Sequence, residues 1–174
     1  MKEKIINIPN TISLLRIPLT ILIIFNLDSN IKYLYLGVLI ISDLLDGMIA
    51  RKLNQTTKFG EVLDPVVDKF FAITVFISVS LTLKLPLFYF GMFFLRDAFS
   101  ILAVIFLLTQ HKKIKGVEIK ARPFGKLTTA LQFLTIVAMV WGQLDVIFFG
   151  VILVFISSIF TIIDYLTYYK TQTK

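Results

Sequence analysis

The chain consists almost entirely of apolar runs of membrane-crossing length, joined by connections too short to fold on their own. A helix that spans the hydrocarbon core of a bilayer needs about 20 residues. Six such stretches can be laid along the 174 residues, at about 9–27, 31–51, 61–84, 86–109, 124–144 and 145–168. Turn and breaker residues mark the joints, near Asn26 to Asn30, Asn54 to Gly60, Pro86, Gly116 to Pro123 and Gly142 to Asp145. The expected fold class is therefore all-α, a polytopic membrane protein of six transmembrane helices forming a single domain over residues 1–174. A content of 57% hydrophobic against 17% charged residues leaves too little polar surface for a soluble enzyme or a disordered chain. Arg16 interrupts the first apolar stretch and no small-residue cleavage site follows, which argues against a removable signal peptide. We find no internal repeat of the kind that builds transporters from duplicated halves.

The basic residues fix an expected orientation. Lys2, Lys4, Arg51, Lys52, Lys58, Lys112, Lys113, Lys115, Lys120, Arg122, Lys170 and Lys174 fall at the two termini and in the second and fourth connections, whereas the other side carries only Lys32 and Lys84. The excess marks the cytosolic side. Both termini and these two connections are expected there, and the bland reading of the net charge of +7 is this topology alone. The same charge can also hold anionic lipid or a phosphorylated substrate near the surface.

Chemistry is to be sought among ionisable residues inside the spans, because each is costly to insert. They are Arg16, Asp43, Asp46, Asp64, Asp68, Lys69, Arg96, Asp97, Lys126 and Asp164. Asp43 and Asp46 are three apart and share a helix face with Gly47 and Ala50, while Gly60, Asp64 and Asp68 are four apart on the next span. The two acidic faces are expected to meet near the cytosolic end. Four converging carboxylates repel one another unless divalent cations sit among them. Oxygen-only donors suit Mg²⁺, Mn²⁺ or Ca²⁺. The chain has no Cys and one His, His111 in a connection, so thiolate chemistry, disulfides and a zinc or copper site have nothing to use. Magnesium held by a few carboxylates commonly completes its shell with substrate phosphate, which points to a phosphate-bearing ligand from the cytosol. Arg51, one turn beyond Gly47, can pair with that phosphate or serve only as a positive-inside anchor.

Asp43-Leu-Leu-Asp46-Gly47-Met-Ile-Ala50-Arg51, followed by Gly60, Asp64 and Asp68, resembles the signature of the CDP-alcohol phosphatidyltransferase family at all eight of its defining positions. The likeness extends to the opening segment Asn7-Ile-Pro9-Asn10-Thr-Ile-Ser-Leu-Leu-Arg16, to Asp64-Pro-Val-Val-Asp68-Lys69, to Arg96-Asp97 and to Gly125-Lys126-Leu-Thr128-Thr129. The resemblance implies a six-helix homodimer in the cell (inner) membrane, with a polar cavity open to the cytosol and lipid tails entering from the bilayer. It implies two divalent ions, Mg²⁺ or Mn²⁺, one held by Asp43, Asp46 and Asp64 and the other by Asp43, Asp64 and Asp68. Asp68 would also be the general base. Asp43, Gly47, Ala50, Arg51 and Gly60 would bind the cytidine diphosphate. The reaction implied is transfer of a phosphatidyl group from CDP-diacylglycerol to an alcohol with release of CMP, and no nucleic-acid partner is expected.

The acceptor depends on residues outside the signature. Arg16, Arg96, Arg122 and Lys126 are the candidates, since an anionic acceptor wants Arg forks or a Lys point charge. The bland readings are an internal Arg96–Asp97 ion pair and snorkelling of Arg122 and Lys126 to the interface. Several of these segments resemble enzymes of the family that act on glycerol 3-phosphate, the expected acceptor. Arg96-Asp97 and Arg122-Pro123-Phe124 lean toward those that act on phosphatidylglycerol and make cardiolipin, the alternative. Two other classes share part of the pattern. Intramembrane prenyltransferases also use paired Asp-rich motifs, but they need more helices and lack the Gly-x-x-Ala-Arg continuation, and a cation transporter would use the acids without any nucleotide.

Overall fold

The computed structural model describes residues 7–52, 57–109 and 123–172. Within them the chain is helical, with six helices: α1 Ile8–Phe25, α2 Ile31–Lys52, α3 Lys58–Leu83, α4 Phe88–Thr109, α5 Pro123–Trp141 and α6 Leu144–Gln172. They fall on the six apolar runs. The spans Ile8–Phe25, Val62–Leu83, Pro123–Trp141 and Leu144–Thr171 are each long and apolar enough to cross a membrane. In α2 the acids and the terminal Arg51-Lys52 pair break up the apolar character. The basic connection holding Lys112, Lys113, Lys115, Lys120 and Arg122, with His111, lies outside the described residues.

The chain forms two compact units. One comprises Met1–Lys84 with Met139–Gly142, the other Leu85–Ala138 with Gln143–Lys174.

In the first unit α1 packs against both α2 and α3. Asn7 caps α1, its side chain accepting from the Asn10 amide at 2.9 Å, and Pro9 follows in the first turn, where its missing N–H costs nothing. The buried residues of α1 are Pro9, Asn10, Ser13, Arg16, Thr20 and Ile23, a stripe at three- and four-residue spacing. This stripe is mostly polar, while Leu14, Leu15, Ile21 and Leu22 on the other faces are exposed. That inversion of the soluble pattern suits a helix whose outer surface meets lipid. Ser13 and Thr20 hide their hydroxyls by donating to the carbonyls of Pro9 and Arg16, one turn back.

The third helix starts at Thr57, whose hydroxyl accepts from the Gly60 amide at 3.0 Å. Its apolar stripe, Val67, Phe71, Val75 and Val79 with Ala72 and Phe76 alongside, is buried. It stops at Lys84, which takes the left-handed conformation (φ 53°) and closes the last turn through its amide to Leu81. At the far end of α2, Tyr33 packs on Trp141 with ring centroids 5.5 Å apart.

In the second unit α4 packs on α6, and α5 reaches both neighbours through polar side chains. Thr128 of α5 bonds Ser157 at 2.7 Å and Thr161 at 2.9 Å, all three buried. Gly150 lets α6 approach α5 closely, because a Cβ there would stand 2.6 Å from Thr135 Oγ1. Gly142 adopts φ 80° and turns the chain from α5 into α6. Asp145 in the first turn of α6 and Lys170 in the last both complement the helix dipole.

Candidate active site

The acids of α2 and α3 come together on one side chain of α1. Arg16 Nη1 stands 2.9 Å from Asp43 Oδ1 and donates to Asp68 Oδ1, and Nη2 lies 4.0 Å from Asp64 Oδ1. Three carboxylates from two helices thus converge on a single guanidinium. Arg16 is 2% exposed, whereas Asp43, Asp64 and Asp68 are 42%, 48% and 53% exposed. The cation is therefore buried while the three carboxylate side chains that meet it are partly exposed. Asp64 Oδ1 is itself buried with no hydrogen-bond partner among the described residues.

These features decide what the site can hold. Among the described residues no group of three or more acids or histidines is closed into ready metal-ligating geometry, and the point of convergence carries Arg16. The donor set is nevertheless all oxygen, and the orphaned Asp64 oxygen is a lone-pair donor that a hard divalent cation would satisfy. The donor chemistry, though not a closed cluster among the described residues, suits such an ion.

The remaining residues singled out in the sequence divide by place. Asp46, Gly47, Ala50 and Arg51 lie on the last turns of α2, their side chains outside the described residues. Gly60 is buried in the first turn of α3, where a Cβ would come within 2.7 Å of Asn10 Oδ1 and 3.3 Å of Thr57 Oγ1. A glycine is needed there for packing of α1 on α3, whatever else it contacts. Asn10 Nδ2 also reaches Thr57 Oγ1 at 3.3 Å, a tie that sequence reasoning missed. Its only signal was an asparagine beside the Pro9 of the opening segment.

Arg96 stands in the second unit within a network of its own. Nη1 donates to Gly125 O and Thr129 Oγ1, both at 2.8 Å, and Nη2 to Asp97 Oδ1 at 2.9 Å. Gln132 Nε2 donates to the other Asp97 oxygen at 2.8 Å and to the Phe93 carbonyl at 2.9 Å. The internal ion pair, the bland reading of these two residues, is thus present, and its carboxylate is held from two sides. Gln132 was not singled out, although an amide within an apolar span was the available signal. Lys126, in the first turns of α5, is exposed.

The sequence model described as CDP-alcohol phosphatidyltransferase matches residues 6–163. The chain belongs to the CDP-alcohol phosphatidyltransferase family. Membership fits the acidic pair of helices, and with several long apolar helices it makes this an integral membrane enzyme. Enzymes of the family generally use divalent metals. Among curated relatives, the CDP-diacylglycerol–glycerol-3-phosphate 3-phosphatidyltransferase of Wigglesworthia glossinidia brevipalpis is 30% identical over 178 residues, covering 94% of this chain and 93% of that one. The protein of the same name from Aquifex aeolicus is 32% identical over 175 residues, covering 93% of each. A Drosophila melanogaster protein named "Probable cardiolipin synthase (CMP-forming)" is 37% identical over 102 residues, 56% of this chain and 32% of its own.

Proposed function

We propose that this CDP-alcohol phosphatidyltransferase moves a phosphatidyl group from CDP-diacylglycerol to glycerol 3-phosphate, giving phosphatidylglycerophosphate and CMP. The observation that carries the class of reaction is the convergence of Asp43, Asp64 and Asp68, three of the signature acids, with their side chains partly exposed. The acceptor rests on likeness along the whole chain, since relatives that match more than nine-tenths of it bear the glycerol-3-phosphate name.

In this reading Asp43, Asp46, Asp64 and Asp68 hold two ions, Mg²⁺ or Mn²⁺. Such ions neutralise the diphosphate and stabilise charge on departing CMP. Asp68 accepts the proton of the attacking hydroxyl, a role open to an exposed carboxylate at the edge of the cluster. Gly47, Ala50 and Gly60 let the cytidine diphosphate approach the backbone, and Arg51 offers its fork to phosphate. Arg16, Arg96, Arg122 and Lys126 are the acceptor candidates. Of these Arg96 already spends its two terminal nitrogens inside the protein, which shifts the weight of acceptor binding to Lys126 and Arg122.

The enzyme is one domain of six spans in the cell (inner) membrane, with both termini and a polar cavity toward the cytosol, and it works as a homodimer. The family match across residues 6–163 supports the single domain, and the twelve-to-two distribution of basic residues supports the orientation. A second reading, cardiolipin synthesis with phosphatidylglycerol as acceptor, is favoured by Arg96-Asp97 and by the shorter cardiolipin-synthase match.

A product assay separates the two. Purified protein in detergent receives CDP-diacylglycerol and Mg²⁺ with glycerol 3-phosphate or phosphatidylglycerol in separate tubes. Phosphatidylglycerophosphate from the first alone is the expected result, and cardiolipin from the second alone would replace it with the other reading. Release of CMP in neither tube would overturn both.

A further inference from the structure

We infer that the Arg16 guanidinium and a divalent cation compete for the same carboxylate oxygens, so that Arg16 sets how tightly the acidic site holds its metal. The inference rests on the metal reading of the site made above. It changes what Arg16 is for, from a contact of the acceptor to a positioning residue of the metal ligands.

The geometry argues against direct contact with substrate. Arg16 is 2% exposed on the buried stripe of α1, and both terminal nitrogens face acids that are themselves 42–53% exposed. An acceptor arriving from outside meets the carboxylates first. The backbone beneath Arg16 is fixed as well, because its carbonyl accepts from Thr20 Oγ1 at 2.6 Å on the same buried face.

The energetics give the direction. A buried guanidinium is desolvated, and only its partners offset that cost. A divalent ion that draws on Asp43 and Asp68 weakens those same bonds and places its charge near an existing cation. Both effects oppose metal binding. In return, Arg16 keeps acids from different helices gathered against their mutual repulsion. The affinity of the site is therefore set between two opposite failures: without the arginine it holds metal too tightly for exchange and is unstable when stripped of metal.

The test uses full-length protein in detergent, stripped with chelator and titrated with Mn²⁺ by electron paramagnetic resonance, with no nucleotide or acceptor. Arg16→Gln should bind Mn²⁺ about tenfold tighter than the parent, since a neighbouring positive charge is removed. Arg16→Lys, which keeps the charge but loses the fork, should fall between the parent and Arg16→Gln. Melting in chelator should fall for Arg16→Gln and recover on adding Mn²⁺, and a variant that folds only with Mn²⁺ counts in favour. Unchanged or weaker binding by Arg16→Gln would overturn the inference, as would Arg16→Lys binding as tightly as Arg16→Gln. An Arg16→Gln chain that is unfolded with and without Mn²⁺ would overturn it too. If the parent binds no Mn²⁺, the metal reading falls and takes the inference with it. Intact Mn²⁺ binding without CMP release would count against the proposed activity alone.

Discussion

Arg16 Nη1 lies 2.9 Å from Asp43 Oδ1 and also donates to Asp68 Oδ1, so one nitrogen of α1 ties α2 to α3. Neutral isosteres at the acids therefore test chemistry apart from folding. Asp64→Asn and Asp68→Asn keep side-chain volume, and in each case Asp43 still offers Arg16 a carboxylate. We predict that each lowers CMP release by about 10³-fold or more, the scale expected when a metal ligand or general base is lost. Circular dichroism and gel filtration should remain those of the parent. Turnover within about tenfold of the parent, a loss too small for a metal ligand or base, would remove these acids from the mechanism.

The glycines separate a rigid contact from a yielding one. A methyl at Gly150 meets Thr135 Oγ1, Cγ2 and Cβ at 2.6, 2.8 and 3.2 Å, atoms of a short branched side chain that cannot move aside. Gly150→Ala should cost about 1–3 kcal/mol by overpacking, read as a lower melting temperature in detergent. Adding Thr135→Ala should recover most of it. At Gly125 the nearest atom is the Tyr165 hydroxyl at 2.8 Å, at the end of a rotatable ring, so Gly125→Ala should cost less than about 1 kcal/mol.

Arg96 and Asp97 should show strong coupling. Both are largely buried, at 14% and 12% exposure, and Asp97 is also held by Gln132. Asp97→Ala leaves the guanidinium without its charge partner and should destabilise by about 3 kcal/mol, more than the double change Arg96→Met with Asp97→Leu. A double-mutant cycle on melting temperature or denaturant unfolding checks it. Additive losses would mean that the pair is only incidental.

The lack of cysteine makes orientation directly measurable. Ser29→Cys stands in the first connection and Thr171→Cys at the end of α6, and each introduces the only thiol in its chain. We predict that a membrane-impermeant maleimide labels the Ser29→Cys variant on intact cells and the Thr171→Cys variant only after permeabilisation. The reverse pattern would invert the topology read from the basic residues.

The sequence by itself determined the helix count, the positions of the six helices and the pair of acidic faces. Hydropathy fixes where a chain enters lipid, and a three- or four-residue spacing fixes which side chains share a helix face; both are local properties. It also carried the family, because the spacing of Asp43, Asp46, Gly47, Ala50, Arg51, Gly60, Asp64 and Asp68 is written along the chain. Tertiary structure alone decided the partner of the acids. Arg16, Arg96 and Lys126 were all candidates for the acceptor, and only the neighbouring Asp97 marked Arg96 for an internal pair. The packing of α1 against α2 and α3 buries Arg16 beneath three carboxylates, while Arg96 is taken up by Gly125, Asp97 and Thr129 and Lys126 stays exposed. The partners of Arg16 are set by contacts between residues dozens of positions apart, and periodicity within one helix carries no information about them.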